Sequence, residues 1–401
     1  MKKLTVKDVD IKGKRLLMRV DYNVPLDEHQ QVSDDKRIRA SLPTIEYAIK
    51  QGARIILMSH LGRPKGRVVP EMSLKPVALR LGELLGKKVQ FASDCIGLEV
   101  EKMADRLSAG DVMLLENLRF HQEEEDNDPA FSKQLAQLGD IYANDAFGTA
   151  HRAHASTVGV AEYFDTCLSG FLMEKELDYL GAAVSNPARP YVAILGGAKI
   201  ADKIPMIENL IKKVDRLLIG GGMAYTFFKA QGKEIGNSML DEASLDFTSQ
   251  ILKNKGNKIG LPVDCLVTDS FDFKARKIGQ TKVVSVDNIS KGWQGLDVGP
   301  KTIEFFSQVC RDAKTIVWNG PLGVFEIEAT AKGTMAIAQV LAEVTNKGAV
   351  TIIGGGDSAS AVKKAGLTSK MSHVSTGGGA SLEFLQGEQL PGVTILTDAK
   401  E

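Results

Sequence analysis

The residues best suited to chemistry in the first half of this chain are arginines with polar companions. Arg37, Arg63, Arg119 and Arg152 recur there beside Asp21, Asn23 and His60. A guanidinium donates two parallel hydrogen bonds, which suits it to carboxylate and phosphate oxygens. One such arginine is ordinarily a surface ion pair worth little. Several converging on one crevice would repel one another unless an anion sat between them. Asp21 and Asn23 could read a hydroxyl group on that anion. His60 and His151 are of metal-ligand type, yet nothing nearby completes a ligand set at metal spacing. They read as phosphate or structural partners.

The second half carries a different chemistry. Gly196-Gly197-Ala198-Lys199 precedes a segment of helical pattern that includes Lys203, and the four-residue spacing would put both lysines on one helix face. Glycines let backbone N–H groups approach a phosphate, and a helix N-terminus favours negative charge there. Gly354-Gly355-Gly356-Asp357-Ser358 is a second glycine turn and ends in a carboxylate, enough to anchor a nucleotide-bound magnesium ion. Gly377-Gly378-Gly379 is a third. Several motifs are missing. There is no G-x-x-x-x-G-K-[ST] run, no protein-kinase H-R-D or D-F-G set and no G-x-S-x-G elbow. Gly354-x-Gly356-x-x-Ala359 loosely matches a dinucleotide fingerprint, which leaves a nicotinamide-dependent dehydrogenase as a rival reading.

These residues follow a recurring unit of apolar run, polar turn and helical pattern. The runs are Arg15–Val20, Ala53–Met58, Val112–Leu115 and one led by Ile141 in the first half. Tyr191–Leu195, Leu217–Ile219, Thr315–Trp318 and Ala349–Ile353 follow in the second. Continuous rather than alternating hydrophobicity means strands buried on both faces, hence parallel sheets covered by helices. In such sheets ligands bind beyond the carboxyl ends of the strands, where all the polar turns fall. Between the halves, a helical pattern from Phe171 to Val184 ends before Asn186-Pro187-Ala188-Arg189-Pro190, a natural domain boundary. The run Glu123-Glu124-Glu125-Asp126 reads as a solvated loop, with Pro129 opening a helix.

Bulk properties bound the rest. The chain has 401 residues, too many for one ordinary core, with 43% hydrophobic and 25% charged residues. Fifty basic residues balance fifty acidic ones, so no global charge points to nucleic acid or membrane partners. The opening residues lack the apolar stretch of a signal peptide, and no run reaches the length of a membrane span. Cys95, Cys167, Cys265 and Cys310 are far apart, without zinc or redox-dithiol spacing, and read as buried thiols in a reducing cytosol.

Longer motifs carry a family resemblance. They are Arg19-Val20-Asp21-Tyr22-Asn23-Val24-Pro25, Ser59-His60-Leu61-Gly62-Arg63-Pro64-Lys65-Gly66 and Glu116-Asn117-Leu118-Arg119-Phe120. Asn144-Asp145-Ala146-Phe147-Gly148-Thr149-Ala150-His151-Arg152 and Trp318-Asn319-Gly320-Pro321-Leu322-Gly323-Val324-Phe325-Glu326 complete the set. With them the chain resembles the phosphoglycerate kinase family over nearly its whole length. Tyr22 stands where phenylalanine is common and Ser358 where threonine is common; Ser358 keeps the hydroxyl.

The resemblance implies two doubly wound, Rossmann-like parallel-sheet domains of α/β class, separated by a cleft and joined by a helix. Residues 1–185 with about 381–401 would bind phosphoglycerate, and 186–380 the nucleotide. It implies the phosphotransfer step of glycolysis and gluconeogenesis, from 1,3-bisphosphoglycerate to ADP and in reverse, in line, after hinge closure. Asp21, Asn23, Arg37, Ser59, His60, Leu61, Gly62, Arg63, Arg119 and Arg152 would hold the phosphoglycerate. Gly197, Lys199, Lys203, Gly221, Gly295, Asn319, Glu326 and Gly354 to Ser358 would hold ADP or ATP, with Glu326 on the ribose and Asp357 on Mg2+. Arg37, Lys199, Gly356 and Gly379 would be catalytic. The helix Phe171–Val184 and the Gly377–Gly379 turn are the hinge candidates. A cytoplasmic monomer with no nucleic acid or membrane partner is implied. A non-catalytic sensor of phosphorylated metabolites is a second rival, which the combination of Lys199, Lys203 and Asp357 argues against.

Overall fold

A computed structural model describes residues 2–399. The chain divides into two compact units. One runs to Gly181 and resumes at Gln389, and the other is Ala182–Glu388.

The first unit is built on six strands: β1 (Arg15–Arg19), β2 (Arg54–Met58), β3 (Val89–Phe91), β4 (Val112–Leu114), β5 (Ile141–Asn144) and β6 (Cys167–Ser169). They form one parallel sheet in the order β3-β4-β2-β1-β5-β6. Parallel neighbours need crossover connections, and helices such as Lys36–Lys50 and Lys75–Leu85 supply them. Leu16, Leu17 and Met18 of β1 are wholly buried, so both faces of the strand are covered, as continuous apolar runs require. Order 2-1-5 at the centre brings the turns after β1, β2 and β5 side by side at one sheet end. β3 and β6 were not visible as strands, being three residues each with polar Gln90 and Ser169 inside.

The second unit adds β7 (Tyr191–Leu195), β8 (Arg216–Ile219), β9 (Ile259–Gly260), β10 (Asp264–Thr268) and β11 (Phe271–Asp272). β12 (Lys277–Ile278), β13 (Thr281–Ser285), β14 (Gln294–Val298), β15 (Thr315–Asn319), β16 (Val350–Gly354) and β17 (His373–Val374) complete it. Its main sheet is parallel with order β17-β16-β15-β7-β8-β9. Beside it are an antiparallel sheet, β13-β10-β14, and a β11-β12 hairpin, neither signalled by the repeating unit of strand and helix. Trp318 and Phe306 are fully buried in the core of this unit.

The helix Phe171–Ser185 spans the passage from the first unit to the second. Its first turn is held within the first unit. Asp145 Oδ1 accepts from the N–H groups of Leu172 (2.9 Å) and Met173 (3.1 Å), and Thr44 Oγ1 from Phe171 N–H (3.0 Å). These bonds satisfy donors that a helix start leaves without partners.

The chain end returns to its beginning. Leu4 N–H donates to Thr397 C=O (2.8 Å), and Thr397 N–H donates to Cys167 C=O (2.9 Å). Lys3 Nζ donates to Leu396 C=O (2.8 Å), and Gly392 is tied to Ala150 and Asn144. The crossing back falls at Gln389 rather than near 381. The helix Gly378–Gln386 stays in the second unit, where Asn209 Nδ2 donates to Leu385 C=O (2.6 Å).

Two local expectations are corrected. Glu123 to Asp126 is not a solvated loop: Gln122–Glu125 is a helical turn and Glu124 is wholly buried. Lys199 and Lys203 do not share a helix. Lys199 sits in the loop after β7, and Lys203 closes a 3-10 turn before the helix Ile204–Lys213.

Candidate active site

In the first unit, the turns beyond β1, β2 and β4 and the first turn of the helix Lys36–Lys50 gather the basic residues. Arg37 Nη1 lies 2.8 Å from both oxygens of Asp21, which fixes that guanidinium. Asn23 Oδ1 accepts from Gly62 N–H (2.9 Å), and Arg119 Nη1 donates to Gly62 C=O (2.9 Å). Ser59 Oγ accepts from Tyr22 N–H (2.8 Å) and so locks the β2 turn to the β1 turn. Asn117 clamps Leu61 through both its N–H and its C=O. Asp21, Asn23, Arg37, Ser59, Leu61, Gly62 and Arg119 are thus drawn into one hydrogen-bonded constellation. Arg152 donates from Nε to His151 Nε2 (3.3 Å). Arg63 is exposed, and no described contact ties it to the others.

His60 is set by a residue that sequence reasoning passed over. Arg19 is 0% exposed, and its Nη2 lies 3.1 Å from His60 Nδ1. A guanidinium can only donate, so Nδ1 is the acceptor and the neutral ring carries its proton on Nε2. Burial, reinforced by the charges of Arg19 and Arg119, holds His60 well below the usual imidazole range. Burial likewise depresses His154, to about 4. Arg19 Nε donates to Ser156 Oγ (2.7 Å), which donates to Glu124 Oε1 (2.6 Å). Burial raises the Glu124 carboxyl, opposed by the nearby Arg19. Arg119, itself buried, pairs with Glu125 at 3.2 Å.

The charges do not cancel. Asp21, Glu124 and Glu125 face Arg19, Arg37 and Arg119, and Arg152 adds to them without a described carboxylate of its own. Guanidinium charge out of water is costly unless an opposite charge arrives. This site is therefore poised for a small anion, with neutral His60 able to donate one further hydrogen bond. Arg19 had a signal in the sequence, a charge at the end of an otherwise apolar strand. Glu124 and Ser156 had none.

In the second unit the strand ends make two adjoining compartments. The first is lined by Gly196, Gly197, Lys199, Lys203, Asn319, Gly355, Gly356, Asp357, Ser358, Gly378 and Gly379, among others. Two helices, Gly356–Lys364 and Gly378–Gln386, begin there, so their free N–H ends face one space. Gly355 has φ +85°, a left-handed conformation that suits glycine. A Cβ on it would also sit 3.1 Å from Asn319 Nδ2. Lys203 Nζ donates to Asn319 Oδ1, and burial lowers the lysine's pKa. Asn319 Nδ2 is buried without a partner beside the Gly354–Gly355 turn. Ser358 Oγ accepts from Gly320 N–H (2.6 Å), joining the β16 turn to the β15 turn. Lys199 is exposed at the mouth, with no described hydrogen bond or ion pair.

The second compartment is apolar. Tyr225, Phe228, Met239, Leu296, Leu322 and Val324 line it, with Gly221, Gly222 and Gly295 in its walls and Glu326 also lining it. A Cβ at Gly295 would collide with the Tyr225 hydroxyl. Gly197, Ala198 and Asp357 belong to both compartments. A flat apolar group beside an anion cradle is what a nucleotide asks for: base in the slot, phosphates at the helix starts. The aromatic and aliphatic lining was not singled out from sequence, because nothing there distinguishes a pocket wall from core. Of the expected nucleotide residues, Gly197, Lys199, Lys203, Gly221, Gly295, Asn319, Glu326 and Gly354 to Ser358 surround these compartments; Gly354 stands just behind the turn.

Comparison with known proteins follows the same lines. The family profile described as phosphoglycerate kinase matches residues 6–388. A Chloroherpeton thalassium protein named phosphoglycerate kinase is 58% identical over 402 residues, covering 100% of each chain. A wheat (Triticum aestivum) protein named cytosolic phosphoglycerate kinase is 56% identical over 398 residues, covering 98% of each. The solved phosphoglycerate kinase of Coxiella burnetii superposes with a TM-score of 0.89 at 41% identity, covering 98% of both chains. That of Pyrococcus horikoshii gives 0.83 at 32% identity, also covering 98% of both.

Proposed function

The chain belongs to the phosphoglycerate kinase family, and from that premise we propose that it transfers a phosphoryl group reversibly between 1,3-bisphosphoglycerate and ADP. A terminal oxygen of ADP forms the new P–O bond as the acyl-phosphate P–O bond breaks, leaving the carboxylate of 3-phosphoglycerate. Both possible nucleophiles are ionised at neutral pH, so no general base is required. The phosphoglycerate is held in the first unit by Asp21, Asn23, Arg37, Ser59, His60, Leu61, Gly62, Arg63, Arg119 and Arg152. The nucleotide occupies the two compartments of the second, its ribose at Glu326. The observation that carries this reading is the phosphate compartment, where Lys199, Lys203 and Asp357 surround two helix starts.

Spreading negative charge on the transferring group is met by positioned positive charge and donors. Arg37 approaches from the first unit and Lys199 from the second, and the free N–H groups at Gly356 and Gly379 add donors without net charge. Asp357 fits a magnesium ion, which commonly takes only one or two protein carboxylates on nucleotide phosphates. When bound there it neutralises phosphate oxygens. Each unit holds half of the chemistry, so transfer requires the units to approach and exclude water, with Phe171–Ser185, which spans the passage between them, as the hinge; the Gly377–Gly379 turn lies inside the second unit. A monomer working in the cytoplasm suffices, since one chain supplies both sets of residues. The wheat relative's cytosolic description accords with that place, and no described helix is long and apolar enough to cross a membrane.

The test is a coupled spectrophotometric assay for ATP consumption that depends on 3-phosphoglycerate and Mg2+. Turnover that requires all three supports the reading. ATP consumption indifferent to 3-phosphoglycerate would sink it.

A further inference from the structure

One cluster outside the residues assigned above combines three ligating chemistries. A carboxylate oxygen of Asp94, Cys95 Sγ and a ring nitrogen of His121 all lie within 4.8 Å of one another. His121 Nε2 is 2.7 Å from Asp94 Oδ1, and that same oxygen accepts from Cys95 N–H at 2.7 Å. The thiol is fully buried, while the Asp94 and His121 side chains are 50% and 27% exposed. The buried sulfur thus lies beside a carboxylate and an imidazole that both reach solvent. The chain separation of Cys95 and His121 hides this grouping from any spacing rule; the turn after β3 and the turn after β4 bring it together.

The donor set selects the cation. Sulfur, imidazole nitrogen and one carboxylate suit a borderline-soft divalent ion of the zinc class, which takes such ligands in tetrahedral geometry. Mg2+ and Ca2+ prefer oxygen alone. Three protein ligands leave one position, and the exposed side faces solvent. We propose that Asp94, Cys95 and His121 form a binding site for a zinc-class divalent cation, and that its occupancy weakens the grip on phosphoglycerate. On binding, the thiol proton leaves to solvent. The proton on Nε2 passes to Nδ1 of a neutral ring, or to solvent from a charged one.

The coupling follows from the chain path and rests on the function proposed above. His121 directly follows the turn Leu118–Phe120 that carries Arg119, and its N–H donates to Leu118 C=O (3.2 Å). It directly precedes the turn Gln122–Glu125 that supplies Glu124 and Glu125. A cation seated between the imidazole and Asp94 replaces their 2.7 Å hydrogen bond, and the proposed coupling is that this moves the segment placing Arg119.

Binding is tested without reference to activity. The full chain, freed of metal, is titrated with Cd2+ while the sulfur-to-metal charge-transfer absorption is followed, with Mg2+ in excess. A band that saturates at one equivalent, vanishes in Cys95→Ser and weakens in Asp94→Asn and His121→Gln is expected. The weakening should reach at least the roughly 10–100-fold that losing an outer partner of a metal site costs. The rim variants keep the test valid should the buried serine disturb folding. No band, a band surviving in Cys95→Ser, or one indifferent to both rim changes overturns the site. Wild type loaded with Zn2+ should then show a higher KM for 3-phosphoglycerate, with kcat changed less. An unchanged KM on the loaded enzyme overturns the coupling.

Discussion

Lys199 is exposed beside the phosphate compartment and carries no described partner, so its charge is available for the group in transfer. Lys199→Ala should lower kcat by two to three decades, since one preorganised contact to developing charge contributes roughly 3–4 kcal/mol. A loss under tenfold in steady-state kinetics would remove it from that role. Arg19 acts instead through His60 and Glu124. Arg19→Met removes the charge that opposes the burial of Glu124 and should destabilise the fold by about 3–5 kcal/mol in denaturant titration. Adding Glu124→Gln should recover much of that loss; no recovery would mean the pair is not coupled. His154 gives a pH signature. Its folded pKa of about 4 lies below the ordinary 6.5, so below pH 6.5 the unfolded chain takes up a proton that the folded chain refuses. Stability is full above 6.5 and falls as pH drops towards 4, by on the order of 2–3 kcal/mol from this group. His154→Gln should flatten the slope of melting temperature in that window.

The helix Phe171–Ser185 starts on a carboxylate that burial raises to about 6. Asp145→Ala removes the acceptor for two helix N–H groups and should cost about 1–2 kcal/mol, as lost caps do. Asp145→Asn keeps an acceptor and should cost less in the same melts; equal losses would show that the cap bonds do not matter. This element also marks how far the sequence could be read. Its period was plain from Phe171 to Val184, as were the strands whose apolar runs are unbroken on both faces. β3, β6, β9 and β17 escaped because two or three residues that include Gln90, Ser169, Gly260 or His373 make no apolar run. The β13-β10-β14 sheet escaped because it interrupts the alternation of strand and helix. Candidate residues at strand ends could be proposed from sequence, since topology alone places strand ends together. Asn117, Ser156 and Glu124 could not. Their roles come from short turns and loops folding over the site, and an acidic run looks the same in sequence whether it faces water or a buried arginine.

For the whole molecule, the two compact units each hold an incomplete site, and the proposed transfer demands that they meet. Small-angle scattering should show a smaller radius of gyration with 3-phosphoglycerate and a non-hydrolysable Mg–ATP analogue together than with either alone. Identical profiles in all states would count against closure.

The return of the chain end to the first unit has a consequence for biosynthesis. The second unit, Ala182–Glu388, is one continuous stretch and can fold as soon as it clears the ribosome. The first unit starts earlier yet finishes later, because the residues that pair with Leu4, Lys3 and Cys167 are made only after the whole second unit. During vectorial synthesis the first unit must wait, with its outer strand β6 unlatched, until the stretch beyond Glu388 emerges. A nascent chain stalled before Gln389 would hold a finished second unit and an unfinished first one, and the first should be the one that protease cuts.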